Sequence, residues 1–462
     1  MSEGVEPLAA GVPGRAAACR AAAAFGVLAG LAAAAVAVGR PNDARWALLG
    51  LLAAMWLAFA VAAGLVLRLP VHRAVPLIVA GGILLQAIAV AAAPRSTDDF
   101  YRYAWDGRVQ AAGTDPYRYP PTDPALAPLR DGWLFPPGCR APEPACTVVN
   151  HPRSPTIYPP VAEAWFLAVH AVAPAGSRHK PWQLAAALLA VLTTLALIDV
   201  LRRAGQDPRW AVLWAWCPTV VIEAGNAAHV DVLAALLVVL GLGQLAARRA
   251  VAGGALLGAA VAVKLYPALA LPAALRRRGV AVLASAAAVV LGSYLPHLAT
   301  VGGRVLGYLP GYLSEEGYAG TGRFPVIRLL VAPAAAPYLA AAILAGTALA
   351  VARRADPDRP WAGAVVLTGV ALLVTGPSYP WYPLLLVALV ALSGRWEWLP
   401  AAAAAYPPYF VGALHLPPEP TKLVSYAAAT VAVAALVALR PASPASVSRS
   451  PAVHPDGGVI DS

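Results

Sequence analysis

"VPLIVAGGILLQAIAVAAAPRSTDDFYRYAWDG", residues Val75 to Gly107, changes character in the middle. Its first half is an apolar run. Its second half opens on the adjacent carboxylates Asp98 and Asp99 and continues into the aromatics Tyr101, Tyr103 and Trp105. The apolar half decides the fold. A helix needs about 20 apolar residues to cross a bilayer core, and windows of this kind recur at 19–38, 46–68, 74–93, 158–174, 183–201, 209–224, 230–247, 251–274, 280–298, 326–352, 361–376, 380–393, 397–413 and 421–439. The 462 residues are 60% hydrophobic and only 12% charged, against roughly 25% charged in a soluble domain. So much apolar surface requires lipid as solvent. The expected fold class is all-α, a polytopic helical membrane protein with about 12–14 spans. The windows at 209–224 and 380–393 are short enough for half-helices. Lys264 and Pro267 predict a kink inside 251–274.

The net charge of +11 does not point to nucleic acid. The arginines cluster in short breaks between apolar runs, as in Arg276-Arg277-Arg278 and Arg353-Arg354, which is how positive residues orient a membrane protein. No zinc spacing, P-loop or Gly-rich nucleotide fingerprint occurs. The Ala, Gly, Pro and Arg excess fits a GC-rich bacterial genome, so a bacterial cytoplasmic membrane is the expected location. Arg15 and Arg20 precede the first run and the small residues near Gly39 make a poor cleavage site, so this run reads as a retained span.

Counting from a cytoplasmic N-terminal segment (1–18), three spans bring the chain outside by Pro94. The transmembrane domain is 19–440. Within it, 95–157 and 299–325 become exoplasmic loops, and 441–462, rich in Ser, Pro and Ala, becomes a disordered cytoplasmic tail. The count puts Arg276–Arg278 and Arg353–Arg359 inside, as the charge bias requires. It puts Arg202, Arg203, Arg248 and Arg249 outside, against that bias. The first loop is long and aromatic, which favours order and function. It holds Cys139 and Cys146, and an oxidising exterior suits a disulfide between them. Cys19 and Cys217, in or beside spans, read as inert.

Carboxylates beside hydrocarbon normally have a task or a partner. Two so close together, partly desolvated, push at least one pKa upward, and a carboxylate of that kind suits a general base for a hydroxyl. The neighbouring aromatic faces suit a sugar ring. The spacing Asp99-x-x-x-Tyr103, then Gly113, then Pro116-Tyr117, resembles the first-loop signature of polytopic glycosyltransferases of the GT-C architecture. It is similar in particular to family-87-like and polyprenyl-phosphomannose-dependent mannosyltransferases. The later segments "IYPP" (Ile157 to Pro160), "NAAHVD" (Asn226 to Asp231), "VKLYP" (Val263 to Pro267) and "SYPWYP" (Ser378 to Pro383) resemble that family in character and order. Three spans before the loop depart from the family's simplest layout, which has one. The resemblance implies a lipid-phosphate sugar donor on the outer face and inversion at the sugar. It makes Asp99 the base, with Asp98 as neighbour or alternate.

An enzyme outside the membrane has no nucleotide sugars, whereas a sugar on polyprenyl phosphate can be presented there. The departing phosphate needs positive charge. Lys264, midway along an apolar run, Arg102, His297 and Arg323 are the candidates, with Tyr103 and Tyr117 as further donor or substrate contacts. Arg102 and Arg108 have a second reading as simple counter-charges for the acids. Glu315 and Glu316 form another acidic pair, read as a solvated turn. Asp98, Asp99 and Glu315 are hard oxygen donors that suit Mg or Mn, but no spacing demands a metal, and no cofactor is expected. His229 and Asp231 face inward on the span count and do not share a helix face, which gives them a capping or packing role. Tyr379, Trp381 and Tyr382 read as an interfacial aromatic belt, or else as the lining of a donor groove.

Three function classes compete. The first is an enzyme moving a hexose, mannose first, from a polyprenyl-phosphate donor to a cell-envelope lipid or glycan acceptor. The second is a transporter or flippase of a polar lipid or glycolipid, and the third an assembly protein. Only the first gives paired acids in a structured exoplasmic loop something to do.

Overall fold

The computed structural model describes residues 13–38, 45–137, 146–309, 311, 314 and 323–440. Among them every regular element is α-, 3₁₀- or π-helical, with no strand. Seven helices are long and apolar enough to cross a bilayer: Ala16–Ala37, Trp46–Val66, Val71–Ala91, Lys180–Arg203, Gly279–Leu306, Pro333–Arg354 and Pro418–Ala438. Each coincides with an apolar window of the sequence. An eighth unit is broken, with Val220–Asn226 and Asp231–Ala246 meeting at 114°. Four shorter apolar helices are Pro160–Val172, Ala250–Val261, Trp361–Thr375 and Pro383–Ser393. The protein is a multi-pass helical membrane protein.

Burial explains the short ones. Every residue from Pro383 to Leu392 is buried. A helix that is apolar on all sides belongs inside a bundle. By contrast Gly279–Val301 buries only Val282 and Ala286 and leaves Leu291 and Leu295 more than half exposed, as suits a helix facing lipid. It packs on Ala250–Val261 through Gly254 and Gly258, where a methyl group would overlap the backbone of Val282 and Ala286. Small residues four apart let two membrane helices touch along their backbones. The expected kink in 251–274 is a full break: the helix ends at Val261, and a 3₁₀ segment, Tyr266–Ala274, follows.

The turns sort into two ends. At one end Arg95 Nε donates to Val36 O (2.9 Å), Gln183 Nε2 to Ala92 O (3.0 Å), and His297 Nδ1 to Asp115 Oδ2 (2.9 Å). At the other, Arg209 Nη1 donates to Leu69 O (2.6 Å), Arg276 Nη1 to Ala355 O (3.0 Å), and Arg277 Nη1 to Asp358 Oδ1 (2.7 Å). Arg248 lines a cleft there together with Arg276, Arg277 and Arg278. Arg202, Arg203, Arg248 and Arg249 thus lie at the end that holds Arg276–Arg278. The span count had put them at the opposite end.

The correction has a specific cause. The window at 158–174 forms the 13-residue helix Pro160–Val172, which does not cross the bundle. It lies along the first-loop helix Asp99–Ala111, and Lys180 then returns the chain to Val90 O. One crossing fewer turns Lys180–Arg203 and Asp231–Ala246 round and brings Arg202, Arg203, Arg248 and Arg249 to the end of Arg276–Arg278. The broken window 251–274 then runs out to Lys264 and back to Arg276, so the later helices keep their direction and the charge conflict disappears. The window at 397–413 breaks into the short helices Leu399–Ala403, Tyr406–Tyr409 and Val411–Leu414. The tail 441–462, residues 1–12, Cys139, Glu315 and Glu316 lie outside the described residues.

Candidate active site

Asp99 is the first residue of the helix Asp99–Ala111, and its backbone N–H donates to Thr97 Oγ1 (3.1 Å). This helix is amphipathic and buries Phe100, Tyr103 and Ala104. Gly107 lets it close on Pro160–Val172: a Cβ there would stand 2.6 Å from Phe166 O. Gln110 Nε2 bridges the pair to Glu163 Oε2 (2.8 Å), and Thr156 Oγ1 donates to Glu163 Oε1 (2.6 Å). The Asp99 carboxylate is therefore carried on a docked element. Asn150 Nδ2 donates to its Oδ1 (2.8 Å), and its Oδ2 faces His229 Nε2 at 3.6 Å. The side chain is 14% exposed, enough to be reached.

His229 arrives there because the backbone breaks. Val220–Asn226 is a π segment, and Ala228 takes a positive φ of 61° before the next helix starts at Asp231. Irregular backbone at membrane depth needs internal hydrogen-bond partners. Asn226 supplies several: its Nδ2 donates to Ala89 O (2.9 Å), and its Oδ1 accepts from Arg95 N–H (3.1 Å). Gln183 Nε2 donates to Asn226 O (2.8 Å). The His229 ring is fully buried and stacks on Trp381 (centroids 4.0 Å, planes 23° apart). Its Nδ1 lies 3.1 Å from Glu223 O and 3.3 Å from Glu223 Oε2.

Asp231, two residues on, is fully buried; its Oδ2 pairs with Lys264 Nζ (2.8 Å), and its Oδ1 accepts from Tyr266 OH (3.0 Å). The Lys264 ammonium stands 5.8 Å from the Tyr158 ring centre and 5.5 Å from that of Tyr382. Tyr379 stacks on Trp381 (4.6 Å), and Tyr409, edge-on to Trp381 (5.6 Å), donates its hydroxyl to Ser96 O. The four segments around Tyr158, His229, Lys264 and Trp381 are distant in sequence. They converge on one acidic, aromatic-walled site at the end of the bundle opposite the arginine-rich turns.

The other expected residues are distributed as follows. Asp98 precedes the helix and is exposed on one side; desolvation, and then the charge of Asp99, raise its carboxyl above the usual range. Tyr103 is buried, stacked on Phe166 (4.4 Å) and edge-on to Tyr158 (5.3 Å). Arg102, expected at the donor, is turned into the loop. Its Nε holds both Asp106 oxygens (3.0 and 2.9 Å), and its Nη1 caps the carbonyls of Asn150, His151 and Ser154. That places Asn150 for Asp99. Arg108 pairs with Asp131 (2.6 Å). Tyr117 braces the site from behind, its hydroxyl donating to Tyr158 O (2.6 Å). His297 is held by Asp115 and ties the first loop to the helix Gly279–Val301. Arg323 is buried beside Tyr426. Cys146 is disulfide-bonded and Cys217 is a free, buried thiol. Among the described residues no group of three or more His, Cys, Asp or Glu is arranged to hold a metal.

His229 and Asp231 correct the sequence reading, which sent them to the opposite face. Glu223 was missed altogether, although an acid inside the apolar run "VVIEAGN" was a legible signal.

The family model of glycosyltransferase family 87 matches residues 156–377. The matched segment contains Tyr158, Glu223, His229, Asp231 and Lys264, while Asp99 and Trp381 fall outside it. No curated protein and no solved structure matches. The family match, with the all-helical polytopic fold, supports a family-87 glycosyltransferase.

Proposed function

We propose that this membrane glycosyltransferase moves a hexose from a polyprenyl-phosphate donor to a cell-envelope lipid or glycan acceptor, with inversion and with Asp99 as general base. The observation that carries the reading is the position of Asp99: a rigidly mounted, partly open carboxylate at the point where Tyr158, His229, Lys264 and Trp381 meet. An acceptor hydroxyl approaching Asp99 loses its proton as its oxygen attacks the anomeric carbon. The bond from that carbon to the phosphate oxygen breaks in line, and the electron pair leaves with polyprenyl phosphate.

Lys264 is a cation beside this path, between the rings of Tyr158 and Tyr382. One of its N–H groups is taken by Asp231, and its other two are free to meet the departing phosphate, where charge develops. Trp381 is sandwiched between His229 and Tyr379, which leaves the rings of Tyr158 and Tyr382 to meet a sugar. The isoprenoid tail stays in lipid while the sugar reaches Asp99 at the bundle's rim.

The side of the membrane follows from charge. Arginine-rich turns collect at the end opposite Asp99, and positive residues favour the cytoplasm. This supports an exoplasmic site in a bacterial cytoplasmic membrane, where lipid-linked donors replace nucleotide sugars. A flippase would have no use for a carboxylate mounted in this way.

The test is a donor panel. Purified protein is given polyprenyl-phosphate mannose, glucose or arabinose, with envelope lipids of gene-deleted cells as acceptor. Transfer from one lipid-phosphate sugar, with the anomeric configuration inverted in the product, is the expected result. Transfer from nucleotide sugars alone contradicts the reading.

A further inference from the structure

The glycosyl transfer proposed above leaves a proton behind. A sugar phosphodiester with one negative charge becomes a phosphate monoester, whose second pKa is near 6, and the acceptor's proton stays on Asp99, whose side chain is only 14% exposed. Asp99 must shed it before the next turnover. Behind Asp99 stand His229, stacked on Trp381, and then Glu223.

The contacts fix the tautomer of His229. Both neighbours of Nδ1, Glu223 O at 3.1 Å and Glu223 Oε2 at 3.3 Å, are acceptors, so Nδ1 carries hydrogen. Nε2 then presents a lone pair to Asp99 Oδ2 at 3.6 Å. Two lone pairs repel there when Asp99 is ionised and His229 neutral, and a proton between them turns repulsion into a hydrogen bond. Glu223 is fully buried, and its carboxylate is met by His229 Nδ1 at 3.3 Å and by the Tyr406 hydroxyl, with no cation paired to it among the described residues. A negative charge in that position is most stable beside an imidazolium. The Trp381 face on the other side of the ring, at 4.0 Å, also favours a cation. The remaining titratable neighbours are phenols: Tyr406 faces Glu223, and Tyr409 faces Glu223, Asp99 and Asp98. Glu223 also borders a narrow cleft lined by Arg95 and Ser96.

We infer that His229 and Glu223 form a proton relay behind Asp99. The proton passes from the acceptor hydroxyl to Asp99 Oδ2, and from Asp99 to His229 Nε2. The imidazolium holds Nδ1–H against the Glu223 carboxylate while Asp99 returns to its ionised form. Once the products leave, the proton passes back through the part-exposed Asp99 to entering water, and His229 is neutral again. The His229 ring has no exposed surface, so it is a positioning and relay residue, not a catalytic one. The 3.6 Å separation closes when a shared proton joins the pair; such contacts are commonly long before substrate binds.

The inference rests on the base assignment for Asp99, and the experiment separates the two. The full-length protein, its His229→Asn, Glu223→Gln and Asp99→Asn variants are assayed with polyprenyl-phosphate mannose and envelope lipids of gene-deleted cells across pH. His229→Asn keeps an N–H toward Glu223 and removes the acceptor nitrogen. It is expected to lower kcat by about tenfold or more, with donor KM within about twofold, and to abolish the acidic limb that wild type owes to imidazole protonation. Glu223→Gln keeps the shape and removes the counter-charge. It destabilises the imidazolium, so that limb moves to lower pH while the alkaline side is retained. Wild-type pH profiles in both variants, whatever the drop in rate, overturn the relay. If Asp99→Asn is inactive in the same series, such a result leaves the base assignment standing. If Asp99→Asn is active, both fall together.

Discussion

Lys264 Nζ lies 2.8 Å from Asp231 Oδ2, and that carboxylate has no exposed surface. The lysine enters from the break after Val261 and the aspartate from the break after Asn226. Two interrupted helices are thus joined through one ion pair beside Asp99.

Removing one partner of a buried pair strands the other's charge. Lys264→Met is expected to cost about 3–5 kcal/mol of stability, read from denaturation in detergent. The double variant Lys264→Met with Asp231→Asn is expected to recover most of that stability and still bind a polyprenyl-phosphate sugar weakly. Recovery of binding along with stability would show that Lys264 serves the fold alone.

Arg102 makes a contrasting case. Its guanidinium holds Asp106 and three loop carbonyls and faces the loop interior. Arg102→Ala is expected to lower stability by about 3–5 kcal/mol, since Asp106 is left buried and unpaired, and to loosen Asn150 from Asp99. Arg102→Ala together with Asp106→Asn is expected to regain stability and part of the transfer rate. A variant of Arg102 with full stability and lost donor affinity would return it to the role the sequence suggested.

The seat of the first loop is tested at Gly107. A methyl group there meets Phe166 backbone, which cannot move aside cheaply. Gly107→Ala is expected to cost about 1–3 kcal/mol and to reduce transfer through Asp99 misplacement. Gly30→Ala, where nothing lies within 4 Å, is the control and is expected to leave both unchanged.

These residues show where sequence was enough. Apolar runs near membrane length located the seven long helices, because lipid permits little else. Asp99 was legible because an acid at the edge of hydrocarbon is costly. The path of the chain between Tyr158 and Asp231 was not legible. The run at 158–174 has the composition of a span but lies along the first-loop helix, and nothing in its hydropathy separates those outcomes. The run at 209–224 hides a π segment, whose last carbonyl, Asn226 O, is met by Gln183 from another helix while the Asn226 side chain ties the segment to Ala89 O. One miscounted crossing sent His229 and Asp231 to the wrong face. The arginines at 202, 203, 248 and 249 already conflicted with that count.

Asp98 has its own pH signature. Its carboxyl is raised in the folded protein by desolvation and by Asp99. Folded protein then holds this proton more tightly than unfolded chain does. Its contribution to stability is therefore present at low pH and falls as pH rises through the ordinary carboxylate range to the folded value. Asp98→Asn is expected to flatten that fall and to keep substantial transfer. A thermal-unfolding series against pH checks the first, and the transfer assay the second. Loss of all transfer in Asp98→Asn would move the base role from Asp99 to its neighbour.

Asp99→Asn is the decisive substitution, because the amide keeps the shape and the Asn150 contact and cannot take a proton. The measurement is transfer rate and donor affinity on the same purified, correctly folded variant, with polyprenyl-phosphate mannose as probe. Transfer is expected to fall by about 10²–10⁴-fold while the donor dissociation constant stays within about threefold of wild type. Transfer at the wild-type rate would contradict a base at Asp99, and with it the mechanism built on this site.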